Sequence, residues 1–404
     1  MRIALAPDLH CFYTTYDKQV DGESVRKKEW KNAAKAFLKT CKEQRADVVV
    51  FPGDYFTNPK PSAENVLMVS SLFASFKKAG IEVVGIAGNH DISGIGKKSM
   101  NDVVSAIGGE KKWCYSTFDT MVVGNVGFAF LPYMKAPAIT AYNPDFANME
   151  LSEHLIKNCA TMKAKLDEAK VSKTILVGHW SIQGAVTSSG KTMEHTVNGI
   201  ETVLPLGDLV SQGWDACLFG HIHKPQVLSE SKPFIAYSGC FQRINIGEAL
   251  DDRGFYMYDT GTDQHQFFNL PAIKMKAFSK EITTAESFDS LIKEIGNTDF
   301  KDKIVYAKYT VSKDHFDWVN KREVLKALEK GKPLNIAGIA PKIIEEARQR
   351  DITLTEALDG ETALRKWLGA KDTIDEKQAG KVMQLFKKYS EELVENHDVE
   401  QAEG

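Results

Sequence analysis

Five short apolar runs, each followed within two residues by glycine or aspartate, constrain the fold of this chain most strongly. Runs of this length with such ends are typical of strands buried on both faces. They lie at 3–6, 48–51, 83–87, 174–177 and 216–219. Between them fall amphipathic stretches typical of helices, near 24–44, 62–79, 98–107 and 153–170. The alternation predicts an α/β layered sheet over 1–270, and strand-like runs at 121–131, 234–238 and 254–259 predict a second sheet.

From about residue 271 the pattern changes to that of a small α+β unit. Strand, helix, strand, helix and strand are predicted in turn at 272–282, 286–295, 303–311, 321–328 and 334–344. Beyond 350 only helical patterns remain, and a capping box from Thr373 to Glu376 is expected to open the last helix. We therefore expect three regions, 1–270, 271–349 and 350–404, with about the last ten residues disordered.

Composition excludes some classes of protein. No apolar stretch reaches the roughly 18 residues of a membrane span, so we expect no membrane partner. The six cysteines include no C-x-x-C pair, which favours a reducing cytoplasm over a disulfide framework or a thiolate zinc site. A net charge of -3 gives no general signal for nucleic acid. Lysines 27, 31, 35 and 39 could form a basic stripe on one helix, although a solvated helix face is the favoured explanation.

Polar motifs follow all five apolar runs, at the point where each strand ends. They are Asp8-Leu9-His10, Gly53-Asp54, Gly88-Asn89-His90-Asp91, Gly178-His179 and Gly220-His221-Ile222-His223. Ligands of open α/β sheets bind beyond the carboxyl ends of strands, and Asp, Asn and neutral His suit manganese, iron or zinc. Each motif alone is a weak signal, but all five in order favour a two-metal site for phosphoryl chemistry. His90 is placed to protonate a leaving oxygen.

Over residues 8–223 these motifs resemble those of the calcineurin-like metallophosphoesterases. The resemblance implies a four-layer αββα sandwich. It implies that one metal is held by Asp8, His10, Asp54 and His223, and the other by Asp54, Asn89, His179 and His221. It also implies His90 as general acid, and we expect Asp91 to orient it. Manganese is the expected ion at both positions.

A narrower resemblance is carried by the stretches GHWSIQGA, GHIHKPQ, YSGCFQRINIGE and RGFYMYD, which look like the SbcD-type nucleases of bacteria and phages, within the meiotic-recombination nuclease family. It implies a DNA exonuclease and endonuclease with a DNA-guiding capping domain at 271–349. It also implies terminal helices that bind the coiled-coil base of an SbcC-type ATPase. The counterpart of that binding surface is the stripe Val382, Leu385, Phe386, Tyr389 and Leu393, although packing on its own domain explains the stripe equally well. Tyr55 and Arg243 are candidate substrate-binding residues.

The helix at 62–79 suggests self-association. Val66, Val69, Phe73 and Phe76 form one apolar face, and leucines 67 and 72 with Met68 widen it beyond one core contact, which indicates burial on two sides. In the nucleases that this chain resembles, the helices after the second and third motifs form a dimer, so the resemblance implies a homodimer. Two other functions remain open. One is a small-molecule phosphodiesterase or protein phosphatase of the same superfamily, and the other is a non-catalytic scaffold for DNA ends or the ATPase. The long region beyond 270 favours the nuclease, and the complete set of predicted ligands argues against the scaffold.

Overall fold

The computed structural model describes residues 1–92, 113–136, 139, 149–196, 201–344, 360–369 and 375–400. The chain divides into two compact units, Met1–Thr310 with Trp318–Lys342, and Val311–Asp317 with Ile343–Gly404. None of the described helices combines the length and apolarity needed to cross a bilayer. The predicted boundaries at 270 and 349 do not coincide with this division and stay predictions.

Two six-stranded sheets form the centre of the first unit. The first sheet contains β1 (Arg2–Leu5), β4 (Val48–Phe51), β5 (Glu82–Ile86), β6 (Cys114–Tyr115), β15 (Gly254–Asp259) and β16 (Gln264–Asn269), in the order β16-β15-β1-β4-β5-β6. The second contains β7 (Asp119–Val123), β8 (Val126–Leu131), β9 (Lys173–His179), β12 (Ala216–Gly220), β13 (Gln226–Ser229) and β14 (Phe234–Tyr237), in the order β13-β14-β12-β9-β8-β7. Two short pairs of strands lie outside these sheets, β2 (Gln19–Val20) with β3 (Glu23–Ser24) and β10 (Ser181–Ile182) with β11 (Val203–Leu204). In each sheet the central strands are parallel, so their carboxyl ends share one edge.

The sheets are covered by helices on their outer faces. Helices α1 (Val25–Glu43) and α2 (Ala63–Lys78) lie on the first sheet, and α3 (Leu151–Glu168) and α4 (Leu206–Ser211) on the second. Strand β4 is wholly apolar because both of its faces are buried. Val49 and Phe51 pack under the helices, while Val48 and Val50 face the core between the two sheets. The predicted αββα sandwich is confirmed.

Two local predictions have different outcomes. The helix predicted at 98–107 lies outside the described residues. The run at 121–131 forms two strands instead of one, because Gly124 and Asn125 turn the chain between β7 and β8. Gly124 has a φ of 58°, a left-handed conformation that glycine adopts without strain.

The small α+β unit has the predicted order of elements, and we call residues 274–344 the capping unit. Strands β17 (Lys274–Ile282), β18 (Lys303–Ser312) and β19 (Asn335–Ile344) form one sheet, and helices α5 (Ala285–Gly296) and α6 (Lys321–Lys330) connect them. A capping box between Thr284 and Ser287 starts α5. Asn335 at the start of β19 donates to the carbonyl of Tyr16 (2.9 Å), which ties the capping unit to the loop after β1.

The second unit contains two further helices, α7 (Gly360–Gly369) and α8 (Glu376–Glu400). The first turn of α8 is closed by reciprocal bonds between Asp375 and Gln378, of 2.7 and 3.1 Å. The capping box was predicted two residues earlier, at Thr373, which lies outside the described residues. Helix α8 ends at Glu400, and the disorder expected of about the last ten residues stays a prediction.

Candidate metal centre

The five predicted motifs meet at the edge where β1, β4, β5, β9 and β12 end. Asp54 from the first sheet lies 3.3 Å from His179 of the second, measured between carboxylate Oδ2 and imidazole Nε2. Four of the seven predicted metal ligands are almost fully buried, namely Asp8, His10, Asp54 and His179. The layered fold therefore brings together residues up to 215 positions apart in the sequence.

One group comprises Asp8, His10, Asp54 and His223. The Nε2 atoms of His10 and His223 lie 3.1 Å apart, and His10 Nε2 is 3.4 Å from Asp54 Oδ2. Asp8 accepts from the backbone N–H of His221 through Oδ2 (2.9 Å). Its other oxygen, Oδ1, is buried and has no hydrogen-bond partner among the described residues. His10, Asp54 and His223 thus present three ligand atoms close together, and a ligand atom of Asp8 lies within 4.8 Å of ligand atoms of Asp54 and His179. That these residues hold the first metal stays a prediction.

The second group comprises Asp54, Asn89, His179 and His221. Asn89 Oδ1 lies 2.9 Å from His179 Nε2 and 3.2 Å from His221 Nδ1. His179 Nδ1 lies 2.7 Å from the carbonyl of Pro52, so it is the donor nitrogen and Nε2 is left to face the site. Because Asp54 Oδ2 lies between His10 and His179, this carboxylate can serve both groups.

Tight turns at the strand ends aim these side chains. His10, Asp54 and His221 have left-handed backbone conformations, with φ of 36°, 50° and 95°. Gly53 has φ of 110°, and a Cβ there would lie 2.6 Å from His179 Nδ1. Strain of this kind persists only where the surroundings hold it, and it is common at functional sites. The glycine preceding Asp54 is therefore needed both for the turn and for space.

The electrostatics fit a divalent cation. Burial and the neighbouring Asp54 carboxylate raise the pKa of Asp8 well above its ordinary value. Burial alone would also raise the pKa of Asp54, but His179 and His10 hold it well below its ordinary value. Burial lowers the pKa of His10, which keeps this imidazole neutral and able to bind a metal. A divalent ion would give Asp8 Oδ1 its missing partner and offset the buried negative charge, so the residues present fit two such ions.

Two carboxylates that the sequence analysis missed hold the paired histidines. Glu201 Oε1 lies 3.1 Å from His221 Nε2, and Glu248 Oε1 lies 3.2 Å from His223 Nδ1. Metal-binding histidines are commonly oriented through the nitrogen that does not bind the ion. Burial would lower the pKa of His221, but Glu201 raises it. No local pattern marks either acid, because each lies 20 or more residues from its histidine.

His90 lies beside the first group, and the neighbouring Asp91 has a structural role that the sequence did not indicate. One ring nitrogen of His90 lies within 4.8 Å of ligand atoms of His10 and Asp54. Its Nδ1 is 3.1 Å from the Thr57 carbonyl, which orients the ring. Asp91 is fully buried and accepts from three backbone N–H groups, those of Tyr55 (3.1 Å), Phe56 (3.3 Å) and Gly88 (2.8 Å). That Asp91 also orients His90 stays a prediction. The carboxylate joins the loops after β4 and β5.

The structure also corrects the prediction for Tyr55. Its side chain is fully buried, donates to the carbonyl of Phe51 (3.3 Å) and packs against Phe73 and Trp113, so it presents no surface to a substrate. Arg243 is 9% exposed and donates to three backbone carbonyls. Its substrate-binding role stays a prediction, and its surroundings favour a role in positioning the backbone.

The basic stripe on α1 is largely paired. Lys27 lies 2.7 Å from Glu64, Lys31 lies 3.1 Å from Glu23, and Lys39 is 3.7 Å from Glu43. Exposed pairs of this kind contribute little to stability, but they remove most of the local positive charge. The structure thus favours the solvated helix face over a site for a polyanion.

Three solved structures show limited similarity to this chain. A dimetal phosphatase from Danio rerio is 10% identical, with a TM-score of 0.39, and the match covers 63% of this chain and 91% of that one. Purple acid phosphatase PPD1 from yellow lupin (Lupinus luteus) seeds is 12% identical, with a TM-score of 0.39 and coverage of 66% and 52%. The calcineurin-like phosphoesterase YfkN from Bacillus subtilis is 14% identical, with a TM-score of 0.34 and coverage of 67% and 88%. Similarity at these TM-scores carries no argument about function.

The sequence match to a family is stronger. The family model of the calcineurin-like phosphoesterases matches residues 1–225, which is more than half of the chain and includes all seven predicted ligands and His90. Enzymes of this family hydrolyse phosphoesters with divalent metals, and the buried Asp, Asn and His cluster provides ligands for them. The chain belongs to the calcineurin-like phosphoesterases.

Proposed function

We propose that this phosphoesterase is an SbcD-type DNA nuclease, with double-strand exonuclease and single-strand endonuclease activity and Mn²⁺ as its ion. The observation that carries the proposal is the capping unit, which adds a three-stranded sheet and two helices beyond the catalytic sandwich. It is held to the sandwich through Asn335 and through the backbone of Ile273. A guiding surface of this size suits a polymer better than a small substrate.

The described residues account for hydrolysis of a phosphodiester. Two divalent ions held by these residues would polarise the phosphoryl group and lower the pKa of bound water. Asp54 belongs to both ligand groups and would be the ligand that they share. His90 donates a proton to the departing sugar oxygen, and the Thr57 carbonyl at Nδ1 leaves Nε2 for that transfer. The bond to the leaving oxygen breaks as the bond from the attacking oxygen to phosphorus forms.

A small-molecule phosphodiesterase is the second candidate, favoured by a cavity of about 300 Å³ beside the second ligand group. Tyr133, Lys135, Trp180 and Glu201 line it together with His221. The rings of Tyr133 and Trp180 stack at 4.9 Å. A cavity of this size lies at the lower end of those that enclose small ligands.

We further propose that α8 binds the coiled-coil base of an SbcC-type ATPase. Val382, Leu385 and Tyr389 are 38%, 52% and 57% exposed. Phe386 is half-buried and faces Gly360 of α7, where a Cβ would lie 3.1 Å from its ring, so this residue serves packing within the unit. The side chain of Leu393 lies outside the described residues. Three of the five stripe residues therefore remain as the proposed docking surface.

A homodimer is also proposed, on a narrower basis than the sequence suggested. Val69, Leu72, Phe73 and Phe76 are buried in the core of their own chain. Leu67 is 67% exposed and is the part of α2 that remains for a second copy. A monomeric mass by light scattering at micromolar concentration would contradict the dimer.

The six described cysteines are all buried and free, which supports a cytoplasmic location.

The deciding experiment follows Mn²⁺-dependent degradation of a linear DNA duplex labelled at its 3′ or 5′ end. Bis-p-nitrophenyl phosphate and a cyclic nucleotide serve as parallel substrates, and His90→Ala is the control that should lose activity on DNA. Degradation of DNA that His90→Ala abolishes supports the nuclease. Turnover of the cyclic nucleotide without DNA cleavage, with or without the ATPase partner, would favour the small-molecule enzyme.

A further inference from the structure

A buried chain of hydrogen bonds joins the entry to the capping unit with a predicted metal ligand. Ile273 immediately precedes β17, and both of its backbone polar groups are held by charged side chains. Its N–H donates to Glu29 Oε1 (2.8 Å), and its carbonyl accepts from Arg243 Nη1 (3.0 Å). Glu29 is 5% exposed. The position of the linker is thus fixed from both sides by groups inside the catalytic sandwich.

The same guanidinium also holds the loop between β14 and β15. Arg243 Nε donates to the carbonyl of Glu248 (3.2 Å), and Nη2 donates to that of Asp251 (2.7 Å). The planar fork of arginine can hold three carbonyls in fixed directions, which a lysine ammonium on a flexible stem cannot do. Because Arg243 donates to both carbonyls, a displacement of Ile273 would move Arg243 and, through it, the backbone of Glu248.

Glu248 in turn positions His223. It is 2% exposed and faces His223 Nδ1 through Oε1 at 3.2 Å. Its other oxygen accepts from Arg253 Nη2 (2.5 Å) and from the backbone N–H of Ile244 (2.8 Å). Arg253 also donates to the carbonyl of His223 (3.0 Å). Both the ring and the backbone of His223 are consequently held by this pair.

Buried ionic groups of this kind are weak evidence for stability, because well-packed apolar residues often replace them without loss. Their continuity from Ile273 to His223 is the informative feature. We propose that Glu248 and Arg243 are positioning residues that align His223 for metal binding, and that Arg243 couples this alignment to the capping unit. The proposal rests on the metal centre and not on DNA as substrate, so it survives if the nuclease activity is refuted.

The first test measures Mn²⁺ binding by equilibrium dialysis, without substrate. Glu248→Gln should weaken the binding of one ion by about 10–100-fold, the range for second partners of metal-binding histidines. Arg243→Lys, which keeps the charge but not the fork, should weaken the same ion by a smaller factor. Glu201→Gln is the matched control, because it acts on His221 and therefore on the other ligand group.

Double variants show whether Arg243 acts through Glu248. If it does, Arg243→Lys adds little to the effect of Glu248→Gln, whereas the effects of Arg243→Lys and Glu201→Gln multiply. If the effects on Mn²⁺ binding multiply in both double variants, Arg243 does not act through Glu248 and the coupling is overturned. Unchanged Mn²⁺ binding in folded Arg243→Lys would also overturn it and leave Arg243 as a holder of the linker alone.

A measurement on the unmodified chain keeps the proposal testable if these variants do not fold. Coupling is reciprocal, so Mn²⁺ should slow hydrogen exchange at the Ile273 amide, read by mass spectrometry of a peptide spanning 270–276. Helix α3 provides the reference, since it packs on the outer face of the second sheet and contributes no residue to this chain of hydrogen bonds. Equal protection of the two segments would refute the coupling.

Discussion

Replacement of His90 by alanine should slow cleavage by an amount that depends on the leaving group. General acid catalysis contributes about 10²–10⁴-fold, which corresponds to roughly 3–5 kcal/mol of transition-state stabilisation. The full loss applies to DNA, whose sugar alkoxide is a poor leaving group that needs a proton. It should largely vanish for bis-p-nitrophenyl phosphate, because p-nitrophenolate departs without protonation. The effect thus tests the proton transfer and not merely the presence of the side chain.

The assay compares kcat on both substrates at saturating Mn²⁺, with metal content measured for each variant. The exposed His195 provides the control variant His195→Ala, which should keep full activity and metal content. Equal loss on both substrates, or loss of one Mn²⁺ in His90→Ala, would refute the role of His90 as a proton donor. Either result would make it a ligand or a residue that positions the phosphate.

Further changes test the site and the core. Gly220→Ala should abolish most Mn²⁺ binding while circular dichroism stays unchanged, because the new Cβ would lie 2.4 Å from Asp8 Oδ1; normal binding would contradict this. Asp215→Asn should lower the free energy of unfolding by about 2 kcal/mol at neutral pH, the scale of a hydrogen bond to a charged group. Burial raises the pKa of Asp215, but its partners, including Lys232, lower it overall. The stabilising contribution is therefore present above the unfolded pKa of about 3.9 and is lost as pH falls through the folded pKa. If urea titrations still showed a stability difference between wild type and Asp215→Asn in that acid range, the assignment would be excluded. Phe37→Ala should cost about 3–5 kcal/mol in the same titration, since the ring is fully buried among four aromatic rings, and a cost below about 1 kcal/mol would contradict that packing.

The sequence predicted the parts of the site that depend on local order. A glycine or aspartate within two residues after an apolar run marks a strand end, and parallel strands bring such ends to one edge. All seven predicted ligands accordingly lie together in the structure. Whether they bind metal is decided by the binding experiments above.

The prediction for Tyr55 failed, and the contacts of Asp91 with the backbone were missed, because both depend on side-chain direction and on distant partners. Asp54 faces the metal centre, but Tyr55, one residue later, points into the core under α2, and the sequence alone does not show where the turn sends each side chain. Asp91 binds backbone N–H groups of two loops, one of them about 35 residues earlier in the chain. Backbone donors of this kind have no signature in the sequence.

The two histidines of the last motif are only two residues apart, yet their supports come from different parts of the chain. Glu201 holds His221 and lines the cavity beside the second ligand group. Glu248 holds His223 and is joined through Arg243 to the linker of the capping unit. A substrate group entering the cavity would therefore disturb one ion, whereas a movement of the capping unit would disturb the other. Two histidines of one strand-end motif can thus respond to separate events, because each is oriented by a different acid. In the part of the chain that the structure describes, Glu201 contacts His221 and Glu248 contacts His223.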